Sequence, residues 1–161
     1  MKLRSALACA VLLATACSQN SASTAQASKV APDWTMPMST GGTLTLSSLR
    51  GKPVYLNFFA TWCPPCREEA PYINSLQKQF ASRGLRVIGV DELETAGQAE
   101  SFRKQFHLVY PAIVDSGKLQ SEYLINGLPV HVFIGRDGVI RKVVAGEMAR
   151  SQILAAVRSI L

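Results

Sequence analysis

Two cysteines separated by two prolines, directly after a strand-like apolar run, constrain this chain more than any other feature of its sequence. Residues 54–60 read VYLNFFA, which is typical of a strand buried on both faces. The sequence Cys63-Pro-Pro-Cys66 follows it, and apolar residues then recur at helical spacing. A helix tolerates proline in its first turn, because the backbone N–H that proline lacks has no partner there. The spacing therefore predicts a helix that begins at the prolines, with Cys63 as its N-cap residue.

This arrangement predicts redox chemistry. Residues three apart on a helix share a face, so the sulfurs of Cys63 and Cys66 are expected to meet. The helix N-terminus favours negative charge and so stabilises the Cys63 thiolate. We expect Cys63 to attack a disulfide of a partner protein and Cys66 to resolve the mixed disulfide. Pro64 and Pro65 each remove a backbone donor that would stabilise the thiolate, so the pair is expected to favour donating electrons.

The rest of the chain alternates between strand-like and helix-like segments. We expect a short hairpin around residues 43–46, a second buried strand in GLRVIGVD, and a helix carrying Ala99, Phe102 and Phe106. PVHVFIG and GVIRKVVAG are joined by Arg-Asp-Gly, which is typical of a hairpin, and residues 153–161 form an apolar helical stripe. This order predicts an α/β fold with a mixed central sheet flanked by helices.

The N-terminal residues have the pattern of a targeting segment. Residues 1–16 start with the basic MKLR, continue with a short apolar run and end in Ala-Thr-Ala before Cys17. With Cys17 directly after the small-residue triplet, the stretch resembles a bacterial lipoprotein-type signal peptide, which implies cleavage before Cys17 and lipid attached to it. A second small-residue triplet at residues 25–27 leaves cleavage by ordinary signal peptidase open. Residues 17–29 are small and polar and predict a flexible tether, and residues 30–161 predict one domain.

Composition excludes little but argues against nucleic-acid binding. The formal net charge is +6, yet the sequence has no dense Lys/Arg run and no basic stripe interleaved with aromatic residues. Hydrophobic residues make up 48% of the chain, which supplies a buried core. We expect no cofactor and no resident metal.

The segment NFFATWCPPCREEAP resembles the active-site segment of the thioredoxin superfamily, specifically its TlpA/ResA-like thiol-disulfide oxidoreductases. PDWTM and GGTLTLSSLRGKPVYLNF resemble the N-terminal extension of that branch, and GLPVHVFIGRDGVI resembles its Gly-hydrophobic-Pro loop. The resemblance covers residues 32–161. It implies a three-layer thioredoxin-like fold with an N-terminal β-hairpin extension.

The same resemblance places a substrate-binding loop opposite the cysteines. It implies that the Leu128–Pro129 bond is cis and faces Cys63. The backbone of Leu128 is then expected to pair with an extended substrate segment. Trp62 is expected to shield the cysteines and, with Pro64, to contact the substrate.

The resemblance also implies a glutamate after the second strand, near the cysteines, and Glu94 occupies that position. We expect Glu94 to be partly desolvated and to shuttle protons for Cys66. We interpret Glu68 and Glu69 as charges of the first helical turns, favoured by the helix dipole. His107 is interpreted as a structural or surface residue.

These features predict an exported thiol-disulfide oxidoreductase, anchored by lipid and facing the periplasm of a Gram-negative bacterium. It is expected to act as a monomer that reduces disulfides in exported proteins, such as apocytochrome c or copper-assembly proteins. The resemblance implies that electrons arrive from a membrane thiol donor of the DsbD or CcdA kind.

Three alternatives remain. The same cysteines serve an oxidase or isomerase if electrons flow the other way. A copper-binding chaperone would use Cys63, Cys66 and His131 as ligands. A peroxidase on a related fold is disfavoured, because such enzymes place Thr three residues before the reactive cysteine and this chain has Ala60.

Overall fold

The computed structural model describes residues 27–161. A two-stranded antiparallel sheet precedes a five-stranded mixed sheet of order β5-β4-β3-β6-β7. The strands are β1 (Thr35–Pro37), β2 (Thr43–Thr45), β3 (Val54–Phe59), β4 (Arg86–Glu92), β5 (Ala112–Asp115), β6 (Val130–Ile134) and β7 (Ile140–Ala145). The α-helices are α1 (Pro64–Phe80), α2 (Ala96–Gln105), α3 (Lys118–Glu122) and α4 (Arg150–Ile160), and 3-10 helices span Leu46–Leu49 and Ala81–Arg83.

The sheet separates two apolar cores, which gives the three layers that we expected. On one face, side chains of β3 such as Tyr55 and Phe59 pack with buried residues of α1, α2 and α4. On the other face, Leu56 and Phe58 pack with the N-terminal hairpin and with Leu119 of α3. All six residues of β3 are buried, as the continuous apolar run predicts for a central strand.

Strand directions bring the expected functional segments to one end of the sheet. β3 is parallel to β4, and β4 is parallel to β5, so all three end on the same side. β6 is antiparallel to β3, so β6 begins where β3 ends, with Phe58 opposite Val130. The cysteines that follow β3 and the proline that precedes β6 therefore lie at the same end.

The thioredoxin-like fold and its N-terminal hairpin are confirmed, with one refinement. β2 pairs with β1, upstream of it, through Thr35–Thr45 and Pro37–Thr43. The Gly-Lys-Pro sequence at residues 51–53 is not the turn of this hairpin: it follows a 3-10 helix and leads into β3.

The signal peptide predicted over residues 1–16 and the lipidation site Cys17 lie outside the described residues, as does most of the tether predicted over residues 17–29. Within residues 27–161, no helix is both long enough and apolar enough to cross a bilayer.

Candidate active site

Cys63 and Cys66 form a disulfide at the N-terminus of α1. Their S–S distance is 2.06 Å and their Cα atoms are 5.3 Å apart. Cys63 is the N-cap residue, with extended backbone (φ −82°, ψ 111°), and α1 begins at Pro64 as its pattern predicts. Both cysteines are buried, whereas the neighbouring Trp62 is 70% exposed. An exposed indole beside a recessed disulfide offers an apolar surface to whatever approaches the sulfurs.

The first turn of α1 has few backbone donors for the Cys63 sulfur. Pro64 and Pro65 occupy its first two positions and carry no N–H. The next N–H belongs to Cys66, and it donates to the Cys63 sulfur at 3.4 Å. A thiolate on Cys63 therefore has one backbone donor in this turn where other sequences supply up to three.

Glu94 lies against the loop that leads to the cysteines. Its carboxylate accepts hydrogen bonds from the backbone N–H and the hydroxyl of Thr61, each at 2.6 Å. Gln98 of α2 donates to the same carboxylate at 3.1 Å, and Arg67 donates to the Thr61 carbonyl at 3.1 Å. These contacts hold the segment two residues before Cys63 in place.

The loop before β6 forms the other side of the site. The structure has the Leu128–Pro129 peptide bond in cis, as the resemblance implies. The Pro129 carbonyl accepts a hydrogen bond from the Gly146 N–H at 2.8 Å, which ties the loop to the end of β7. Leu128 is half-buried, and no residue within 27–161 is hydrogen-bonded to its backbone.

Glu69 is buried whereas Glu68 is exposed, so Glu69 is more than the dipole-favoured charge of the first helical turns as which we interpreted both residues. One Glu69 oxygen accepts a hydrogen bond from the Met148 N–H at 2.7 Å. The other lies 3.5 Å from Nε2 of His131. Burial raises the pKa of Glu69 to about 7; the Met148 N–H opposes this, and the charge of Glu147 adds to it.

Glu69 also shares a helix face with Cys66. The two residues are three apart on α1 and both are buried, so their side chains are neighbours. A groove of about 260 Å³ between α1 and the start of α4 is lined by Glu69, Tyr72 and Met148. Glu69 is therefore a titratable group that lies on the same helix face as the inner cysteine and lines a groove at the surface.

His131 is fully buried behind Glu69. Its Nδ1 lies 2.7 Å from the Tyr55 hydroxyl, and burial lowers its pKa to about 4. When the Tyr55 hydroxyl donates to Nδ1, the imidazole carries its hydrogen on Nε2, which faces Glu69.

The residues that the copper-site alternative requires as ligands do not come together. Among residues 27–161, no three His, Cys, Asp or Glu side chains come together in a way that would hold a metal ion. His131 instead pairs with Glu69 and Tyr55 inside the fold.

Buried acids at the ends of β4 and β5 were missed at the sequence level. Asp91 and Asp115 are fully buried and Glu92 nearly so. Burial raises the pKa of Asp91 to about 8, and the carboxyl groups of Glu94 and Glu92 add to it. Burial also raises the pKa of Glu92 to about 8, with a contribution from the charge of Asp115. Acidic residues that end an apolar, strand-like run were the available signal.

Comparison with known proteins agrees with this site. The AhpC/TSA family pattern matches residues 27–143. Thiol-disulfide oxidoreductase ResA of Bacillus cereus is 35% identical over 129 residues, which cover 80% of this chain and 75% of that protein. The chain therefore belongs to the AhpC/TSA family and is a ResA-like thiol-disulfide oxidoreductase.

Solved structures of this family share the fold. A thiol:disulfide interchange protein of the thioredoxin family from Chlorobium tepidum TLS is 29% identical, with a TM-score of 0.76, and covers 82% of this chain and 95% of its own. A secreted Mycobacterium tuberculosis disulfide oxidoreductase, homologous to E. coli DsbE, is 25% identical, with a TM-score of 0.71, over 78% of this chain and 95% of its own. The disulfide of this ResA-like chain thus lies in a fold used repeatedly for thiol-disulfide exchange.

Proposed function

We propose that this oxidoreductase is exported, anchored by lipid on Cys17 and held at the periplasmic side of a membrane, where it reduces disulfides in partner proteins. The lipoprotein-type pattern before Cys17 supports the anchor. The similarity to a secreted mycobacterial oxidoreductase supports export. The observation that carries the direction of electron flow is the proline-filled first turn of α1, which leaves the Cys63 thiolate with a single backbone donor.

Exchange proceeds in two steps, which together transfer two electrons from the Cys63–Cys66 dithiol to the partner disulfide. The Cys63 thiolate attacks one sulfur of a partner disulfide, a mixed disulfide forms, and the other partner sulfur leaves as a thiolate. The Cys66 thiol loses its proton, and the resulting thiolate attacks the Cys63 sulfur. The Cys63–Cys66 disulfide forms, the second partner sulfur leaves, and the partner has gained two electrons.

Two carboxyl groups are proposed to manage the Cys66 proton. Glu69 lies one turn after Cys66 on the same buried face of α1, and its pKa of about 7 suits a group that gains and loses a proton at neutral pH. Glu94, which Thr61 binds beside the cysteine loop, is the second candidate.

The partner is proposed to bind as an extended segment across the Leu128–Pro129 loop. The unpaired backbone of Leu128 within residues 27–161 supports strand-like pairing with such a segment. Trp62 and Pro64 are exposed beside the disulfide and supply apolar contacts. Apocytochrome c and copper-assembly proteins are the partner classes proposed, with a membrane thiol donor of the DsbD or CcdA kind returning electrons to a monomeric enzyme.

Trapping tests the proposal directly. A Cys66→Ala variant, expressed with its N-terminal segment in a host envelope, is expected to accumulate mixed disulfides through Cys63. A Cys63→Ala/Cys66→Ala variant is the matched control and is expected to accumulate none. Adducts that form equally in both variants would contradict exchange through Cys63. A strongly oxidising reduction potential for the wild-type pair would favour the oxidase or isomerase alternative instead.

A further inference from the structure

The ionisable side chains of this fold are segregated along the strands of the sheet. One end, which we call the basic end, lies where β3 and β4 begin, where β6 turns into β7, and where α1 and α4 finish. Lys and Arg side chains cluster there: Lys29, Arg50, Lys52, Lys78, Arg83, Arg86, Arg136, Arg141 and Arg158. Most of these side chains are exposed, and Lys52 and Arg86 are half-buried.

The opposite end carries the disulfide and most of the acids. Acidic side chains there end β4 and β5, follow β4, lie in the first turns of α1 or precede α4: Glu68, Glu69, Asp91, Glu92, Glu94, Asp115 and Glu147. The basic residues Arg67, Lys118 and Arg150 also lie at this end but are fewer. The six residues of β3 separate the two ends by about 20 Å. The molecule therefore has a positive end and an acidic, redox-active end.

The basic end is a fixed surface. Arg136 donates to the carbonyls of Arg83 at 2.7 Å, Gly51 at 3.2 Å and Leu161 at 3.2 Å, which ties three separate segments together. Acidic side chains are present but few: Asp33 and Glu122 lie at this end, and Asp137 pairs with Arg141 at 2.6 Å. The remaining cations present a net positive face.

The N-terminal segment joins the domain at this same end. The Ser28 N–H donates to the Ile140 carbonyl, and the Ile140 N–H donates to the Lys29 carbonyl, both at 2.8 Å. The Ala31 N–H donates to the Gly138 carbonyl in the β6–β7 turn at 2.9 Å. The first described residues, which follow the segment that contains the proposed anchor Cys17, therefore lie at the basic end.

We propose that the basic end docks on the anionic headgroups of the membrane that holds the anchor and so points the disulfide away from the lipid. The proposal rests on the proposed lipid anchor. Charged groups within about 10 Å of the surface interact with it at physiological salt, and each Lys or Arg strengthens binding about fivefold. A lipid surface is favoured over a nucleic acid because the chain meets its anchor at this face.

Lysine footprinting on vesicles tests the orientation. The full-length lipidated protein is bound to phosphatidylcholine vesicles, with or without phosphatidylglycerol, and acetylated with a limiting amine-reactive reagent. Lys29, Lys52 and Lys78 are expected to react at least about threefold more slowly on the anionic vesicles, and about 0.5 M salt is expected to remove this protection. Lys104 in α2 and Lys118 at the start of α3 are internal controls and are expected to react equally on both.

A pair of matched variants gives the second readout. Lys52→Gln/Lys78→Gln is expected to lower the affinity of the non-lipidated Cys17→Ser chain for anionic vesicles by about 25-fold, at fivefold for each charge. Lys104→Gln/Lys118→Gln removes the same charge elsewhere and is expected to leave that affinity unchanged. Equal losses in the two variants would mean that net charge alone governs binding, which would overturn the proposal.

The outcomes separate docking from anchoring and from catalysis. Binding to both vesicle types with equal reactivity of all five lysines would retain the anchor and overturn docking. Protection of the three lysines by an oligonucleotide but not by anionic vesicles would also overturn it. If the chain fails to bind neutral vesicles, the lipid anchor is rejected. If the same chain shows protection of the three lysines on anionic vesicles, docking is still supported. The disulfide-exchange rate with a small disulfide, measured on the same samples, reports on catalysis independently.

Discussion

At the scale of single residues, the proposed role of Glu69 as acceptor of the Cys66 proton depends on its environment. Its side chain is 6% exposed and contacts the Met148 N–H and His131. A carboxyl group placed this way is easily protonated near neutral pH, because burial penalises its charged form. Glu68, its neighbour in the same turn, carries the same carboxyl group but is exposed to solvent.

Glu69→Gln is expected to slow resolution of the mixed disulfide by about 10²-fold at pH 8, the usual contribution of a positioned general base. In the wild type, Glu69 accepts the Cys66 proton only when ionised, so the rate is expected to rise through its pKa of about 7. Single-turnover kinetics with a small disulfide between about pH 5.5 and 9 measure this profile. Glu68→Gln is the control. An unchanged inflection in Glu69→Gln would contradict the role of Glu69.

At the scale of the element, the first turn of α1 limits the backbone donors that reach the Cys63 sulfur. Cys63 caps the helix, and the Cys66 N–H is the one donor of this turn that reaches its sulfur, because Pro64 and Pro65 have no N–H. The helix continues through Pro71 without a break. Donors that stabilise the thiolate stabilise the reduced protein, so removing them favours the disulfide.

Pro65→Ala restores a backbone N–H at the second helical position and is expected to raise the reduction potential by about 30 mV, which is about 1.4 kcal/mol for two electrons. Equilibration with glutathione or dithiothreitol buffers measures the potential. Pro71→Ala changes a proline of the same helix away from the sulfurs and is expected to leave the potential unchanged. A fall in potential for Pro65→Ala would show that the prolines act in another way.

At the scale of the whole molecule, the disulfide end concentrates carboxyl groups that the fold buries. The Glu92 carboxylate oxygens have no hydrogen-bond partner within residues 27–161. The carboxyl groups of Glu94 and Glu92 both raise the pKa of Asp91. The pKa values of about 8 for Asp91 and Glu92 mean that the native state retains protons that the unfolded chain releases near pH 4. The stability that these groups provide is therefore present at acidic pH and lost as pH rises through 8.

The free energy of unfolding is consequently expected to decline between about pH 4 and pH 8, which are the unfolded and folded pKa values of these two acids. His131 acts in the opposite sense: its pKa is lowered from 6.5 to about 4, so its contribution is lost as pH falls through that window, and it partly offsets the decline there. Urea unfolding of the oxidised protein across pH measures the net change. Asp91→Asn and Glu92→Gln are expected to flatten the decline, whereas the exposed Glu68→Gln leaves it in place. Stability that increases between about pH 6.5 and pH 8 would contradict this account.

The local features of this protein follow from its residues alone. The buried strand, the capping cysteine, the prolines of the first turn and the β6–β7 hairpin depend on neighbours within a few positions, which the sequence displays directly. The resemblance to TlpA/ResA-like proteins added the three-layer fold and the cis bond before Pro129, and the structure has both.

Other features required the tertiary structure, because burial and electrostatics depend on segments distant in sequence. Glu69 is buried because Met148 and His131, which lie 62 or more positions further along the chain, pack against α1. The acids that end β4 and β5 become neighbours only when parallel strands align their ends. The basic end and the carboxyl-rich disulfide end exist only because the strands are aligned. β3 and β4 are parallel and β6 is antiparallel to β3, so their termini meet at the same two ends of the sheet. Spacing along a chain reports which residues share a turn, whereas their exposure and charge environment are set by what the fold places against them.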